Sequence, residues 1–361
     1  MPMRIAVISY RLPIEGEKRG GIERVAHALA DGLGRRGHAV TTFSHDPAPA
    51  GASYEVRPLP WKSFMETWIG LRMTAGYLGN VLALQVDVRE FDVVIAHGDS
   101  LLLSMCRKPV VRVMHGSARG EAQHATSIGR AALQWGVYAQ ELLTAFLSRS
   151  TVVGVSANTQ RDNPFVRQVI PNGVDTSIFH PLPIGKSSNP SIVFVGAADG
   201  RKRGRFLLDA FQSAIRPAFP NAELTFVGPQ GPPQQGVSYL TGVPDRELAS
   251  LYRRAWVCAA PSTYEGFGLP YLEAMACGVA VVATPNPGSR EVLGEDYGGL
   301  AEDREFAPAI MKLLADEARR RALEMSGIRR AGEFSIDRMI DHYEALLTGL
   351  RGSHARSIAS A

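Results

Sequence analysis

Cysteine is scarce in this sequence. Cys106, Cys258 and Cys277 are the only three in 361 residues, and they sit far apart without metal-ligand spacing. Each lies among apolar or small residues and reads as a buried free thiol, which suits a reducing cytoplasm. Long hydrophobic runs are also missing. The stretch from Met3 to Tyr10 is too short for a signal-peptide core, and no run approaches the roughly 20 apolar residues of a membrane helix. Neither sign of charge dominates. The net charge of +4 is small, and the basic residues are scattered apart from one short run, so nucleic acid is not implied. The G-x-G-x-x-G dinucleotide fingerprint is missing from the turn between the first strand and its helix, at Gly20-Gly21, which argues against a nicotinamide enzyme.

What is present describes a globular protein, 45% hydrophobic and 20% charged, too long for one ordinary core. Short apolar runs alternate with helical stripes. Arg4 to Ser9 reads as a buried first strand. Ile22, Val25, Ala26, Leu29, Ala30 and Leu33 then recur at helical spacing and stop at Gly34 and Gly37. Further strands are expected at Val40–Phe43, Phe91–His97, Pro109–Met114 and Thr151–Val155. The segment Ile170 to Thr176 breaks the rhythm, and prolines follow it. The alternation restarts at Ser191–Gly196, with later strands at Leu224–Gly228, Ala255–Ala260 and Val279–Ala283. This is an α/β pattern of two Rossmann-like domains with parallel sheets. Their expected extents are residues 1–176 and 177–337. A last helix, residues 338–350, is expected to pack back on the first domain, and the polar tail 351–361 to lack order.

Three segments suit an anionic ligand. Gly20-Gly21 lies between a strand and a helix, where bare backbone amides and the helix dipole favour an anion. The run Arg201-Lys202-Arg203-Gly204-Arg205 follows the strand ending at Gly196, at the carboxyl edge where open α/β sheets bind ligands. Cations there would neutralise charge developing on a leaving diphosphate. Lys202 is the first choice for that role and Arg203 the second. The sharpest segment is Tyr264 to Ala274. In it Glu265 and Glu273 flank the glycine turn Gly266–Gly268, with Pro270 opening a helix whose first turn is expected to hold Glu273. These acids suit hydrogen bonds to sugar hydroxyls better than proton transfer.

Together these motifs resemble the family-4 retaining glycosyltransferases of the GT-B fold. The resemblance spans nearly the whole chain. It rests on Gly20-Gly21-Ile22-Glu23, His115-Gly116, Val169 to Asp175, and the E-x7-E segment from Glu265 through Glu273 to Gly278. It implies two sheets facing a central cleft and a set of roles. Gly21 would present its amide to the diphosphate, His115 would touch the donor sugar, and Lys202, with Arg201 or Arg203, would hold the diphosphate. Glu265 would bind a donor-sugar hydroxyl, the amides of Phe267, Gly268 and Leu269 would line the sugar and β-phosphate, and Glu273 would hold the ribose. Glu291 matches a further family acid. The family often has arginine after the strand-end glycine, where this chain has Ala197, so Arg201 or Arg203 would supply that charge.

The reaction implied is transfer of a sugar from a UDP-, GDP- or ADP-sugar to a carbohydrate, lipid-linked or small-molecule acceptor hydroxyl. It would form an α-glycosidic bond with no cofactor and no metal ion, which agrees with the absence of any Asp-x-Asp. A GT-B nucleotide-sugar epimerase and a non-catalytic nucleotide-sugar-binding protein are the alternatives. Trp61, Phe64, Met65, Trp68, Leu71 and Met73 cluster with Lys62 and Arg72. Helix core packing is the favoured reading of this cluster, and a peripheral contact with the inner face of the membrane is the other. The base, the sugar, the acceptor and the oligomeric state are left open by the sequence.

Overall fold

The computed structural model describes residues 1–14, 20–59, 86–98, 103, 107–125 and 127–359. The aromatic cluster of residues 61–73 and Cys106 lie outside the described residues. Two compact units divide the chain. The first takes Met1–Ala122, Ala132–Gly173 and Ile336–Ala361, and the second takes Gln123–Ala131 and Val174–Ser335.

The first unit is built on seven strands: β1 Arg4–Ile8, β2 Ala39–Ser44, β3 Glu55–Pro58, β4 Val93–His97, β5 Val110–Met114, β6 Thr151–Gly154 and β7 Gln168–Val169. They lie in the order β3-β2-β1-β4-β5-β6-β7, every pair parallel. The central strands β4 and β5 are buried at every position, as a sheet covered on both faces requires. The Gly21–Arg35 helix buries Val25, Ala26, Leu29, Ala30 and Leu33. Ile22, counted in that stripe from its spacing, is instead exposed at the helix mouth.

The Ile336–Ala359 helix packs against this first helix. Gly32 allows the close approach, since a Cβ there would lie 2.0 Å from Ile340 Cδ1. Arg36 pairs with Asp341 and Glu344, and His38 Nε2 meets Glu344 Oε1 at 3.1 Å. The helix runs to Ala359, past the point where order was expected to end. Its final turns contain Arg351, His354, Ala355 and Arg356, and the single Gly352 costs only about 1 kcal/mol relative to alanine. Arg351 also donates to the Pro2 carbonyl at 3.1 Å.

The second unit carries β8 Ser191–Val195, β9 Glu223–Val227, β10 Val237–Leu240, β11 Val257–Ala260 and β12 Ala280–Ala283. Their order is β10-β9-β8-β11-β12, again all parallel. Its long segment begins at Val174, whose amide donates to the Phe334 carbonyl at 2.8 Å and which bridges to Ser335, so the two ends of that segment are tied together. Phe194, Phe211, Phe226 and Phe306 fill its core. Two parallel-sheet α/β units are thus present, as the alternation predicts. In each sheet the strand order reverses beside its first strand, between β1 and β4 and between β8 and β11. Such switch points open crevices at the carboxyl ends of the strands, where ligands of this architecture bind. No helix among the described residues is long and apolar enough to cross a membrane.

Candidate active site

The second unit's switch point is flanked by the loops after β8 and β11. Gly196 follows β8, and a Cβ there would come within 2.8 Å of the Phe194 ring and 3.0 Å of Lys202 Cβ. The chain then makes a tight 3-10 turn over Gly200–Lys202, and Gly200 (φ 75°) is in the left-handed region. The turn is fastened to the loop after β11 by the Thr263 amide, which donates to the Arg201 carbonyl at 2.9 Å.

Two of the four basic side chains of the run converge on Glu265. Arg201 Nη1 donates to Glu265 Oε2 at 2.7 Å and to the Tyr264 carbonyl at 3.0 Å, and Lys202 Nζ lies 2.5 Å from Glu265 Oε1. Glu265 is only 5% exposed. Burial alone would push its carboxyl up, but Lys202 and Arg201 outweigh burial and hold it below the usual carboxylate range. The other two side chains go elsewhere. Arg203 makes a two-pronged pair with Asp303 at 2.7 Å and stacks over Phe206 at 4.2 Å, while Arg205 pairs with Asp199. Arg203 is also the one non-glycine at positive φ (53°) among the described residues. Of the two arginines considered for the diphosphate, Arg201 is the one joined to Glu265.

Beyond Glu265 the chain turns at Gly268, whose φ of 103° is a conformation that favours glycine. The Leu269–Ala276 helix follows with Pro270 in its first turn, and no side chain caps its N-terminus. The amides of Phe267, Gly268 and Leu269 therefore lie at an uncapped helix start, a place where anions are favoured. Glu273 is 2% exposed and sits in the second turn of this helix, not the first. The helix starts one residue before Pro270, so the terminal dipole weighs less on Glu273 than the sequence suggests. Gly288 backs the loop, since a Cβ on it would lie 2.6 Å from Glu265 Cβ and 2.7 Å from the Phe267 carbonyl. Glu291 is half-buried in the neighbouring Pro287–Leu293 helix, which Asn286 caps with a reciprocal pair of bonds to Ser289.

In the first unit, Gly20 caps the Gly21–Arg35 helix without any side-chain bond. His115 follows β5, and its Nε2 lies 2.8 Å from Nδ1 of His97, the last residue of β4. Their rings are nearly coplanar, 23° apart, with centroids at 5.0 Å. Burial drives His97 well below its ordinary value, helped by His115, and lowers His115 to about 4, so both are neutral near pH 7. The sequence singles out His115 and not His97, which the fold brings against it. The available signal was that both histidines end adjacent strands of the expected sheet.

These features define a doubly wound α/β protein with basic and glycine-rich turns at its switch points. Residues 19–178 match the family model described as Glycosyltransferase Family 4, and residues 189–316 match Glycosyl transferases group 1. The chain belongs to the family-4 glycosyltransferases of the GT-B fold. It is 34% identical over 160 residues to an O-antigen chain mannosyltransferase B of Escherichia coli, covering 40% of this chain and 42% of that protein. It is 28% identical to an MMP alpha-(1->4)-mannosyltransferase of Mycolicibacterium hassiacum, over 92% of this chain and 94% of that one. The chain spans about half the length or less of several curated relatives that it matches. Among solved structures, Anabaena HepE in complex with UDP and glucose superposes with a TM-score of 0.71. It is 18% identical, over 96% of this chain and all of that one, a likeness of fold.

Proposed function

We propose that the protein transfers a sugar from a nucleoside-diphosphate donor to an acceptor hydroxyl, with retention of configuration and without a metal ion. The observation that carries this reading is the buried Glu265 carboxylate held between Arg201 and Lys202 at the second unit's switch point. The cluster keeps one net positive charge, so a diphosphate placed there meets cations that are already oriented. Cations fixed in advance stabilise charge as it develops on a leaving group, an effect worth about 10²–10³ in rate per removed contact. The uncapped amides at Gly268 and Leu269 add to that field.

In this reading Lys202 and Arg201 take the diphosphate, Glu265 orients them and accepts from a donor-sugar hydroxyl, and Glu273 holds the ribose. Glu291 adds a second acid to the donor side. On the first unit, Gly21 is assigned to a phosphate anion and His115 to a sugar hydroxyl. Arg203 serves the loop through Asp303 rather than the donor. The acceptor oxygen bonds to the anomeric carbon as the bond from that carbon to the phosphate oxygen breaks. The acceptor proton passes to the departing phosphate oxygen, so no side chain is needed as nucleophile. The HepE neighbour was solved with UDP and glucose, which makes UDP-sugars the first donors to try, while the mannosyltransferase relatives make mannose a sugar to test, with GDP-mannose as the probe. A cytoplasmic setting agrees with the buried thiols of Cys258 and Cys277, both pushed by burial up to about 12 and so unreactive.

The test is release of nucleoside diphosphate from UDP-glucose, GDP-mannose and ADP-glucose without acceptor. One donor is expected to turn over, and Lys202→Ala and Glu273→Ala to slow it about a hundredfold. Full rates in both variants would show that the donor site lies elsewhere.

A further inference from the structure

His97 and His115 meet at the carboxyl ends of two adjacent strands, β4 and β5, joined by the 2.8 Å contact from Nδ1 to Nε2. One nitrogen of this contact carries the proton and the other accepts it. The far nitrogen of His97 decides which. His97 is 5% exposed, and its Nε2 is buried with no hydrogen-bond partner among the described residues. An orphaned buried N–H is rarer and costlier in folded proteins than an unfilled lone pair. The proton of His97 therefore belongs on Nδ1, where it is used, and Nε2 keeps a bare lone pair. His97 Nδ1–H then donates to His115 Nε2. That leaves His115, which is neutral, to carry its own proton on Nδ1.

We propose that His97 is a positioning residue, whose hydrogen bond locks His115 in the Nδ1–H form so that His115 offers a hydrogen-bond donor, not a base, to the donor sugar. The inference deepens the reading of His115 as a sugar contact and rests on it for its functional half. A sugar hydroxyl oxygen can accept from Nδ1–H. A proton-abstracting role is closed to His115, because its one lone pair is occupied by His97. This agrees with a reaction in which the departing phosphate oxygen takes the acceptor proton. The coplanar rings fix the imidazole plane as well as the tautomer, so the donor direction is set before the sugar arrives.

The experiment uses the full chain labelled with 15N-histidine. Long-range 1H–15N spectra distinguish Nδ1–H from Nε2–H imidazoles and need no substrate. His115 is identified by the cross-peaks lost in His115→Gln. In the unaltered protein His115 is expected wholly as Nδ1–H. His97→Phe keeps a ring in the same place but removes the donor, so His115 should shift towards Nε2–H. His97→Asn, whose side-chain amide can replace Nδ1–H, should restore the original form. Turnover of UDP-glucose and GDP-mannose without acceptor supplies the second readout. His97→Phe is expected to lower kcat roughly tenfold, the worth of one hydrogen bond, with a smaller change in KM, and His97→Asn to recover most of it.

An Nε2–H tautomer for His115 in the unaltered protein, or a tautomer indifferent to His97→Phe, overturns the proposal. If the tautomer obeys His97 but kcat does not, the positioning role in turnover is refuted while the hydrogen bond stands. If neither donor is turned over by any form, it is the donor reading that has failed, and the spectra still decide the tautomer.

Discussion

Lys202 Nζ and Glu265 Oε1 meet at 2.5 Å across the mouths of β8 and β11, two strands that are neighbours in space and not in sequence. The pair ties the catalytic proposal to the stability of the second unit. Glu265 is almost fully enclosed, and removing a partner from a buried charge costs more than removing a surface pair. Lys202→Ala is therefore expected to cost about 2 kcal/mol, moderated by the remaining Arg201 contact, besides slowing donor turnover about a hundredfold. Chemical denaturation and diphosphate release, measured on the same preparation, check the two effects separately.

Arg201 and Arg203 are expected to behave differently despite their spacing. Arg201→Ala removes a bond to Glu265 and should slow turnover by at least an order of magnitude. Arg203→Ala removes a partly exposed pair with Asp303, which is worth about 1 kcal/mol, and should change turnover by less than about threefold. Equal losses in both would show that Arg203 also faces the donor.

Gly288→Ala tests the packing behind the loop. The new methyl would press on Glu265 Cβ and the Phe267 carbonyl, and backbone cannot yield as a flexible side chain would. A loss of about 1–3 kcal/mol is expected, together with weaker binding of UDP or GDP by calorimetry. Unchanged affinity would mean that the loop's position does not govern nucleotide binding.

Acid should destabilise the first unit through its histidine pair. Both folded values lie below the ordinary value near 6.5, so the unfolded chain takes up protons first as pH falls. The stabilisation is complete above pH 6.5 and is lost progressively between 6.5 and about 4. For His115 it is on the order of 3 kcal/mol at most, since the side chain is only half-buried. Glu265, in the second unit and also held low, brings a separate loss there at still lower pH. Urea midpoints across pH 7.5 to 4.5 should fall in this window, with a shallower slope in His115→Leu. A flat profile would contradict the burial of the pair.

Chelation is the simplest check on the metal-free mechanism. Excess EDTA followed by desalting should leave donor turnover within about twofold, since cationic side chains are assigned the role a divalent ion would fill. Loss of activity with recovery on adding magnesium or manganese would overturn that assignment.

How much of this was legible in the sequence depends on how local its causes are. Val93–His97 and Val110–Met114 stand out because strands buried on both faces read as unbroken apolar runs. β3, with the sequence Glu-Val-Arg-Pro, and β10, with Val-Ser-Tyr-Leu, lie at sheet edges and are half-exposed, so no such run marks them. Phe206, Leu207, Ala210, Phe211 and Ala214 recur at helical spacing, and the Gly204–Ala210 helix forms there. The wider π turn at Phe211–Ile215 then shifts the register, burying Ile215 in place of Ala214. The site divides in the same way. Glycine spacing and strand ends bring Lys202 and Glu265 to notice, but the partner of Arg203 is a hundred residues away, and only the fold reveals it. His97 escaped because a lone histidine at a strand end carries no motif until its neighbour is known.

The helix Ile336–Ala359 belongs to the unit that starts at Met1, although the entire second unit is encoded between them. On a ribosome, the face of the Gly21–Arg35 helix that Ile340 later covers stays bare while Val174 to Ser335 is synthesised. At typical elongation speeds this lasts roughly ten to thirty seconds. The second unit, continuous apart from one short segment, can mature in that interval, so the half of the protein made first is the half completed last.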